Sequence, residues 1–437
     1  MRIAIISDTH FGDHLCSLVT TREDNKVIRG PKYEDFRRQA RREDDGGHEG
    51  KSNDFLILLG DILDFSITSY ERAYGVGAQF FKWLKEDDIC GQIVYVPGNH
   101  DFDLWDTIEY EVNVINRVRH GLIPQQFRWS VPGVLDLRRA SSRRGFSLPT
   151  VVELDQEEAH YKYGGHFFDN ITGADNPIDV AFAYPNIYLV TDEVSVLLTH
   201  GQYFEPFWAL LSEWALRIAQ DDLGLGPDLR LEDLLALNFP ISHLTSSGTG
   251  QAGVLTEKVL RPVQAEIRTH RHDTLHKYLG RLDDQIFRTI KSKNWLKGTI
   301  QEALWKLGRK VAMRAMGRYQ QARFDERFLD REMVRRRFIR FYRATLTEID
   351  ELNREYGLDI PRPRVVVFGH IHEPTPWGVE HAPQIHCCPP DTEPVLVYNT
   401  GGWVYRIESD GHKEFVGAEV MTYSDEEGGD FRSHSIH

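Results

Sequence analysis

Five short apolar runs in this chain each end in side chains that can bind a metal ion. Asp8 and His10 follow Ile3–Ser7. Asp61 and Asp64 follow Phe55–Leu59, within Gly60-Asp61-Ile62-Leu63-Asp64. Asn99, His100 and Asp101 follow Ile93–Val96, His200 follows Val194–Thr199, and His370 and His372 follow Val365–Phe368. Asp8, His10, Asp61, Asn99, His200, His370 and His372 together offer carboxylate oxygens, an amide oxygen and imidazole nitrogens. That mixture suits Mn²⁺, Fe or Zn²⁺; Ca²⁺ prefers oxygen alone. The set is too large for one tetrahedral ion. With one carboxylate shared, it fits two ions about 3.5–4 Å apart. Taken singly, each piece has a plainer reading as a helix cap, a turn residue or a buried histidine. The ordered set is what argues for a metal site.

Such residues need elements to bring them together. Each run is short, rich in branched residues and stopped by Asp, Gly or Pro, and so reads as a buried strand. Ligands in open α/β sheets gather beyond the carboxyl ends of strands, so the five turns are expected to converge on one edge. Gly60, Gly98 and Gly369 let the backbone turn sharply there. Between the runs, Tyr33–Arg42 reads as a polar helix. Glu71–Glu86 reads as a helix with Ala78, Phe81, Trp83 and Leu84 toward the core, and Asp103–Arg119 as another. Asn186–His200 reads as a hairpin. Residues 121–181, broken by several prolines, read as short strands and loops.

After Gly201 the pattern changes. Helix-forming residues dominate from Phe204 to Tyr356, at Phe207–Gln220 and over 255–280, 296–321 and 324–355, with Ser246–Gly253 as a Gly/Ser/Thr loop. Strand character returns at Val365 and at Val395–Tyr398, before Asn399-Thr400-Gly401-Gly402-Trp403. The expected organisation is a core in two parts, residues 1–201 and 362–437, interrupted by a helical insertion at 202–361. The acidic, Gly-rich tail from Ser424 is expected to be disordered.

The insertion is locally basic between Lys258 and Arg343, most densely at Arg335-Arg336-Arg337. The favoured reading is a solvated helix face with pairs such as Glu302 and Lys306. The competing readings are a phosphate-rich substrate, a nucleic acid or an anionic membrane surface. His270, His272 and His276 read as a solvated helix face. Phe204, Phe207, Trp208 and Trp214 read as core, with a substrate pocket as the alternative.

The bulk properties set limits. The chain has 437 residues, 41% hydrophobic and 11% aromatic, with net charge −14, which gives ample core and excludes a disordered class. The charge suits a soluble cytoplasmic enzyme and argues against a dedicated nucleic-acid binder. Cys16, Cys90, Cys387 and Cys388 form no disulfide pattern. The N-terminal run is too short for a signal peptide, and no run approaches the ~20 apolar residues of a membrane span.

In order and residue type, Asp-x-His, Gly-Asp-x-x-Asp, Gly-Asn-His-Asp, His-Gly and Gly-His-x-His resemble the calcineurin-like metallophosphoesterase superfamily. The resemblance covers the expected core and not residues 204–361. It implies an α/β fold, a four-layer α/β/β/α sandwich, here carrying a large helical insertion. It implies two divalent ions, Mn²⁺ foremost, with Fe or Zn²⁺ as alternatives. Asp8, His10, Asp61 and His372 would hold the first ion. Asp61, Asn99, His200 and His370 would hold the second, with Asp61 bridging. A hydroxide between the ions would attack a phosphate ester or anhydride, which agrees with the power of paired cations to acidify water and neutralise phosphoryl oxygens. His100 would contact the phosphate and protonate the leaving oxygen, and Asp64 would orient His100.

The resemblance leaves the phosphorylated substrate open. A partial likeness to the UDP-diacylglucosamine pyrophosphohydrolases rests on the insertion before the last motif and on the strand end Asn399–Trp403. That group carries Arg at the position of His100 and a shorter insertion. Two further readings are a DNA or RNA nuclease acting with a partner, and a non-catalytic metal-binding scaffold.

Overall fold

The strand-forming runs pair as two sheets. In the computed structural model, which describes residues 1–43, 50–151, 165–213, 215–216, 230–250, 324–325, 327–388, 393–408 and 410–437, the chain order is as follows. It opens with β1 (Arg2–Ile6), the hairpin β2 (Val19–Thr21) and β3 (Val27–Arg29), α1 (Tyr33–Arg41), β4 (Asn53–Leu59), α2 (Tyr70–Glu86), β5 (Cys90–Val96) and α3 (Asp103–Tyr110). A π-helical turn at Glu111–Asn116 and a last turn at Arg117–Arg119 extend α3. Then come β6 (Gly133–Asp136), β7 (Gly145–Ser147), α4 (Gly165–Ile171), β8 (Asp179–Phe182), β9 (Asn186–Val190), β10 (Ser195–Thr199), α5 (Leu231–Gly250) and α6 (Glu332–Tyr356). The chain closes with β11 (Val365–Phe368), β12 (Gln384–Ile385), β13 (Val395–Asn399), β14 (Gly401–Ile407), β15 (Lys413–Ser424) and β16 (Asp430–Ile436).

Among the described residues, one seven-stranded sheet has the order β14-β15-β1-β4-β5-β8 with β16 on β15, and the other the order β12-β13-β11-β10-β9-β6-β7. β1, β4 and β5 run parallel in the first. β10, β11 and β13 run parallel in the second. Alternation assigns the side chains. Ile3, Ile5, Ile57, Leu59, Val94 and Val96 share a core with Ile187, Leu189, Val196, Leu198, Val365 and Val367 of the other sheet. The alternate residues, Ala4, Ile6, Leu58 and Tyr95, face away into a second core with α1 and α2. Both faces of these strands are therefore buried, which is why the runs are continuously apolar.

α6 closes the outer face of the second sheet. Val334, Phe338, Phe341, Tyr342, Thr345, Ile349 and Leu352 form its buried stripe. Thr345 Oγ1 accepts from Asn186 on β9, and Tyr342 donates to the Pro363 carbonyl. Phe204 packs on Phe338, Phe341 and Phe368 with ring centroids 5.0, 5.4 and 5.5 Å apart, and Trp208 is buried, so both are core. Arg337 is buried and bonds Glu213 at 2.6 Å, Arg336 pairs with Glu332, and Arg335 reaches the Gln384 carbonyl. The densest basic run is thus engaged within the chain.

Four expectations need correction. The tail from Ser424 is ordered: β16 pairs with β15 from Ala418 to Ser424. Gly428 and Gly429 take φ of 98° and 85° in the connecting turn, and Asp425 meets the N-terminal amine at 2.5 Å. The acidic, Gly-rich composition encodes a hairpin turn, which composition alone does not distinguish from disorder. Of the expected Ser246–Gly253 loop, residues 246–250 are helical as the end of α5, and 251–253 lie outside the described residues. Extending an established helix requires no new nucleation, so weak local propensity is overridden. Within 324–355, α6 starts only at Glu332, because Arg331 is extended and Phe328–Asp330 forms a separate 3₁₀ turn. In 121–181, α4 joins the expected strands. The helices over 255–280 and 296–321, His270, His272, His276, Trp214 and the Glu302–Lys306 pair lie outside the described residues.

Candidate metal centre

Parallel pairing sets the five turns side by side. Ile6 of β1 lies opposite Leu58 of β4, Leu59 of β4 opposite Val96 of β5, and Thr199 of β10 opposite Phe368 of β11. Each strand therefore ends at a common level, and the residues just beyond it meet at one edge of the two facing sheets. Asp8, His10, Asp61, Asp64, Asn99, His100, His200, His370 and His372 are all brought together and all buried.

The backbone is bent to do this. Asp8, His10, Asp61 and His370 take φ of 53°, 49°, 53° and 68°, a left-handed region that costs a non-glycine residue about 1–3 kcal/mol. Gly60 takes φ of 86°, and a Cβ there would lie 2.3 Å from His200 Nδ1. At Gly98 a Cβ would lie 2.3 Å from Asp61 Oδ1. Neither turn admits a side chain.

Three groups of donors form, each with donor atoms within 4.8 Å of one another: Asp8, His10 and His372; His10, Asp61 and His100; and Asp61, His200 and His370. His10 is common to the first two groups and Asp61 to the last two. Asp61 Oδ2 is 3.4 Å from His200 Nε2, 3.8 Å from His10 Nε2 and 4.0 Å from His100 Nε2. Asn99 Oδ1 lies 3.3 Å from His200 Nε2.

Each of several imidazoles has one nitrogen fixed by an acceptor, which leaves the other to face the cluster. His10 Nδ1 donates to Asp64 Oδ2 at 2.8 Å, and His100 Nδ1 to Asp64 Oδ1 at 2.9 Å. His200 Nδ1 donates to the Leu59 carbonyl at 2.9 Å. His370 Nε2 donates to Glu205 Oε2 at 3.0 Å. The inward nitrogens of His10 and His372 then lie 3.2 Å apart. Two lone pairs at that distance repel unless a proton or cation lies between them.

The electrostatics favour a cation. Burial alone would raise the Asp61 carboxyl, but His200, His100 and His10 outweigh it and hold it well below the usual range. Asp64 is held low in the same way by His100 and His10. Burial would lower His200, but the Asp61 carboxylate overrides it and pushes the imidazole up to about 9. Asp8 Oδ1 and His370 Nδ1 are buried with no hydrogen-bond partner among the described residues. Orphaned buried acceptors beside carboxylates and inward imidazole nitrogens are what a divalent ion satisfies. The residues present therefore fit one or more divalent ions.

Some contributors carry no signal in the sequence. Glu205 is buried against His370, in a stretch that reads only as the start of the helical segment. Ser66 Oγ lies 2.5 Å from His100 Nδ1 and donates to Asp64 Oδ1 at 2.8 Å. Ser7 binds both Asp8 and Thr400, and Asp8 Oδ2 also accepts from the His370 amide at 2.9 Å. Asp101 stands in the third motif, where ligand logic gives it no task. Its carboxylate accepts from the Gly98 and Ile62 amides at 2.6 and 2.7 Å, joining the turn that carries Asn99 to the turn that carries Asp61.

A family model described as calcineurin-like phosphoesterase matches residues 1–222. No curated protein matches the chain. The matched segment contains four of the five ligand turns, and β11 supplies the fifth by pairing with β10. On this match and this site, the chain belongs to the calcineurin-like phosphoesterase family.

Proposed function

We propose that this protein is a metal-dependent hydrolase of a phosphate ester or anhydride that works with two divalent ions. The observation that carries the reading is the placement of Asp61 Oδ2 between His10 Nε2 at 3.8 Å and His200 Nε2 at 3.4 Å, while Asp64 holds His10 and His100. Asp8, His10, Asp61 and His372 would hold one ion, and Asp61, Asn99, His200 and His370 the other. Mn²⁺ is the proposed ion; Fe and Zn²⁺ suit the same donors. The chemistry such ions supply when bound is acidification of a water and neutralisation of phosphoryl oxygens.

The chain supplies the rest. With Nδ1–H donated to Asp64, His100 in its protonated, imidazolium form can deliver its Nε2 proton to the leaving oxygen. The Asp64 carboxylate stabilises that cation and, through His10, also orients a ligand. The buried setting strengthens each of these interactions.

The architecture that supports this is, on our reading, a four-layer α/β/β/α sandwich made by residues 1–201 and 362–437, with 202–361 as an insertion. Because α6 shares the core of the second sheet, we assign that helix to the outer layer and the preceding part of the insertion to a cap. A cytoplasmic setting is supported by free Cys16, Cys90, Cys387 and Cys388. Among the described residues no helix is long and apolar enough to cross a membrane.

The test is metal analysis of the purified chain joined to a panel of a phosphomonoester, a phosphodiester, a nucleotide and DNA with Mn²⁺. Turnover of at least one class, lost on chelation, is expected. Bound metal with no turnover of any class would leave a metal-binding scaffold. Turnover confined to DNA, with steep salt dependence, would make it a nuclease.

A further inference from the structure

A second group of metal-ligating side chains lies outside the central cluster. Asp103 and Asp106 stand at i and i+3 in the first turn of α3, so both carboxylates share one face. His243 reaches them from α5, which packs against α3. The three residues offer donor atoms within 4.8 Å of one another, and His243 Nδ1 is 2.6 Å from Asp106 Oδ2. Tyr70 donates to Asp103 Oδ2.

These are not surface acids. Asp103 and Asp106 are only 5% and 6% exposed. On each, Oδ1 is buried with no hydrogen-bond partner among the described residues. One ion pair with His243 leaves both of those oxygens unsatisfied, and two carboxylates are crowded around one imidazole. Burial pushes the Asp106 carboxyl up to about 6, with His243 opposing and Asp103 adding a smaller push. The His243 side chain is 58% exposed, so the group opens to solvent on that side and can admit an ion and its water ligands. Phe239, one turn earlier on α5, stacks on the His243 ring at 5.7 Å and fixes its plane.

We propose that Asp103, Asp106 and His243 form a further divalent-cation site, for Zn²⁺ or Mn²⁺, that ties α5 to α3. Two carboxylates and one imidazole with solvent-filled remaining positions match the ligand sets of these ions; Ca²⁺ would not take the imidazole. No donor is shared with the central cluster. Asp103 comes three residues after His100, so the ion would hold a helix of the segment following His200 against the helix that leaves the His100 turn. Its role is structural, and it stands whether or not the central site hydrolyses a phosphate.

The test uses the full chain in the Asp61→Asn background, where the central cluster is broken and this group is left intact. After chelation and dialysis, Zn²⁺ and then Mn²⁺ are titrated by calorimetry and bound metal is counted. One site per chain is expected to persist in Asp61→Asn. Adding Asp106→Asn or His243→Gln should weaken it at least ~10-fold, since even residues that only orient a ligand are worth that much. His243→Gln keeps a side chain that can hydrogen-bond Asp106, so it separates ligation from simple pairing. Far-ultraviolet dichroism and thermal unfolding in chelator confirm that each variant is folded. The metal-induced rise in melting temperature should vanish with the site. If ion count and affinity in Asp61→Asn are unchanged by both substitutions, or no ion binds there at all, the group is an ion pair only and the proposal fails.

Discussion

Asp64 accepts from Nδ1 of His100 at 2.9 Å, and its other oxygen takes Nδ1 of His10 at 2.8 Å. One carboxylate therefore sets the tautomer of a proton donor and of a metal ligand together. Asp64→Asn keeps the shape but replaces one acceptor by a donor, so one imidazole must turn or change tautomer. We expect metal affinity to fall ~10–100-fold and kcat to fall with it. His100→Gln should instead keep the metal and lose roughly 10²–10⁴ in kcat. Calorimetry and steady-state kinetics on both variants check this. An Asp64→Asn enzyme with unaltered metal affinity would contradict the coupling.

Asp61 faces His10, His100 and His200 through Oδ2 and accepts the His100 amide at 2.7 Å through Oδ1. Removing its charge takes a donor from the group with His10 and His100 and from the group with His200 and His370. Asp61→Asn should abolish turnover and lower bound metal by more than any other single ligand substitution. Metal analysis across alanine or amide variants of the ligand set gives the ranking. A smaller loss at Asp61 than at Asn99 would show that Asp61 does not bridge.

Glu205 is predicted to act through His370. With Nε2 committed to Glu205, His370 Nδ1 is left to face the cluster. Glu205→Ala leaves a buried ring N–H without its acceptor, and we expect ~10-fold weaker metal binding. Glu205→Gln retains an amide oxygen at the same place and should recover most of it. If the alanine variant binds metal like the parent, Glu205 only fills space.

The sequence made the ligands legible because metal chemistry admits few side chains and strand ends are marked by Gly, Asp and Pro. Asp8 through His372 could be read in order for that reason. Glu205 could not, because a carboxylate that orients a ligand needs no fixed spacing from it. Ser7, Ser66 and the amide-bridging role of Asp101 were hidden similarly, since their partners are backbone amides and neighbouring side chains that only the fold supplies. The tail shows the opposite failure. Asp425 and Gly428-Gly429 look like a disordered end, yet β16 pairs with β15 over its whole length. Pairing partners distant in sequence decide such cases. α6 sits in the helical stretch between His200 and His370, and only its stripe of Phe338, Phe341 and Ile349 against the second sheet reveals that it closes the core.

The same helix carries a titration away from the metals. Glu348 is half-buried on α6 and accepts from Ser130 and Tyr188. Burial is the main cause that pushes its carboxyl from 4.5 up to about 7, with Glu232 adding to it and the hydrogen bonds opposing. Between these two values the folded chain keeps a proton that the unfolded chain has released. Stability from this group is therefore full below the unfolded value and is lost as pH rises to about 7, where the loss levels off. The partial exposure of the side chain reduces the effect to roughly 1–2 kcal/mol. Glu348→Gln removes the titration. Its unfolding free energy relative to the parent should rise from pH 5 to pH 8 by about that amount, measured by denaturant titration in chelator so that the metal sites do not contribute. A difference that stays constant across the window would mean that Glu348 is ionised in the folded chain throughout.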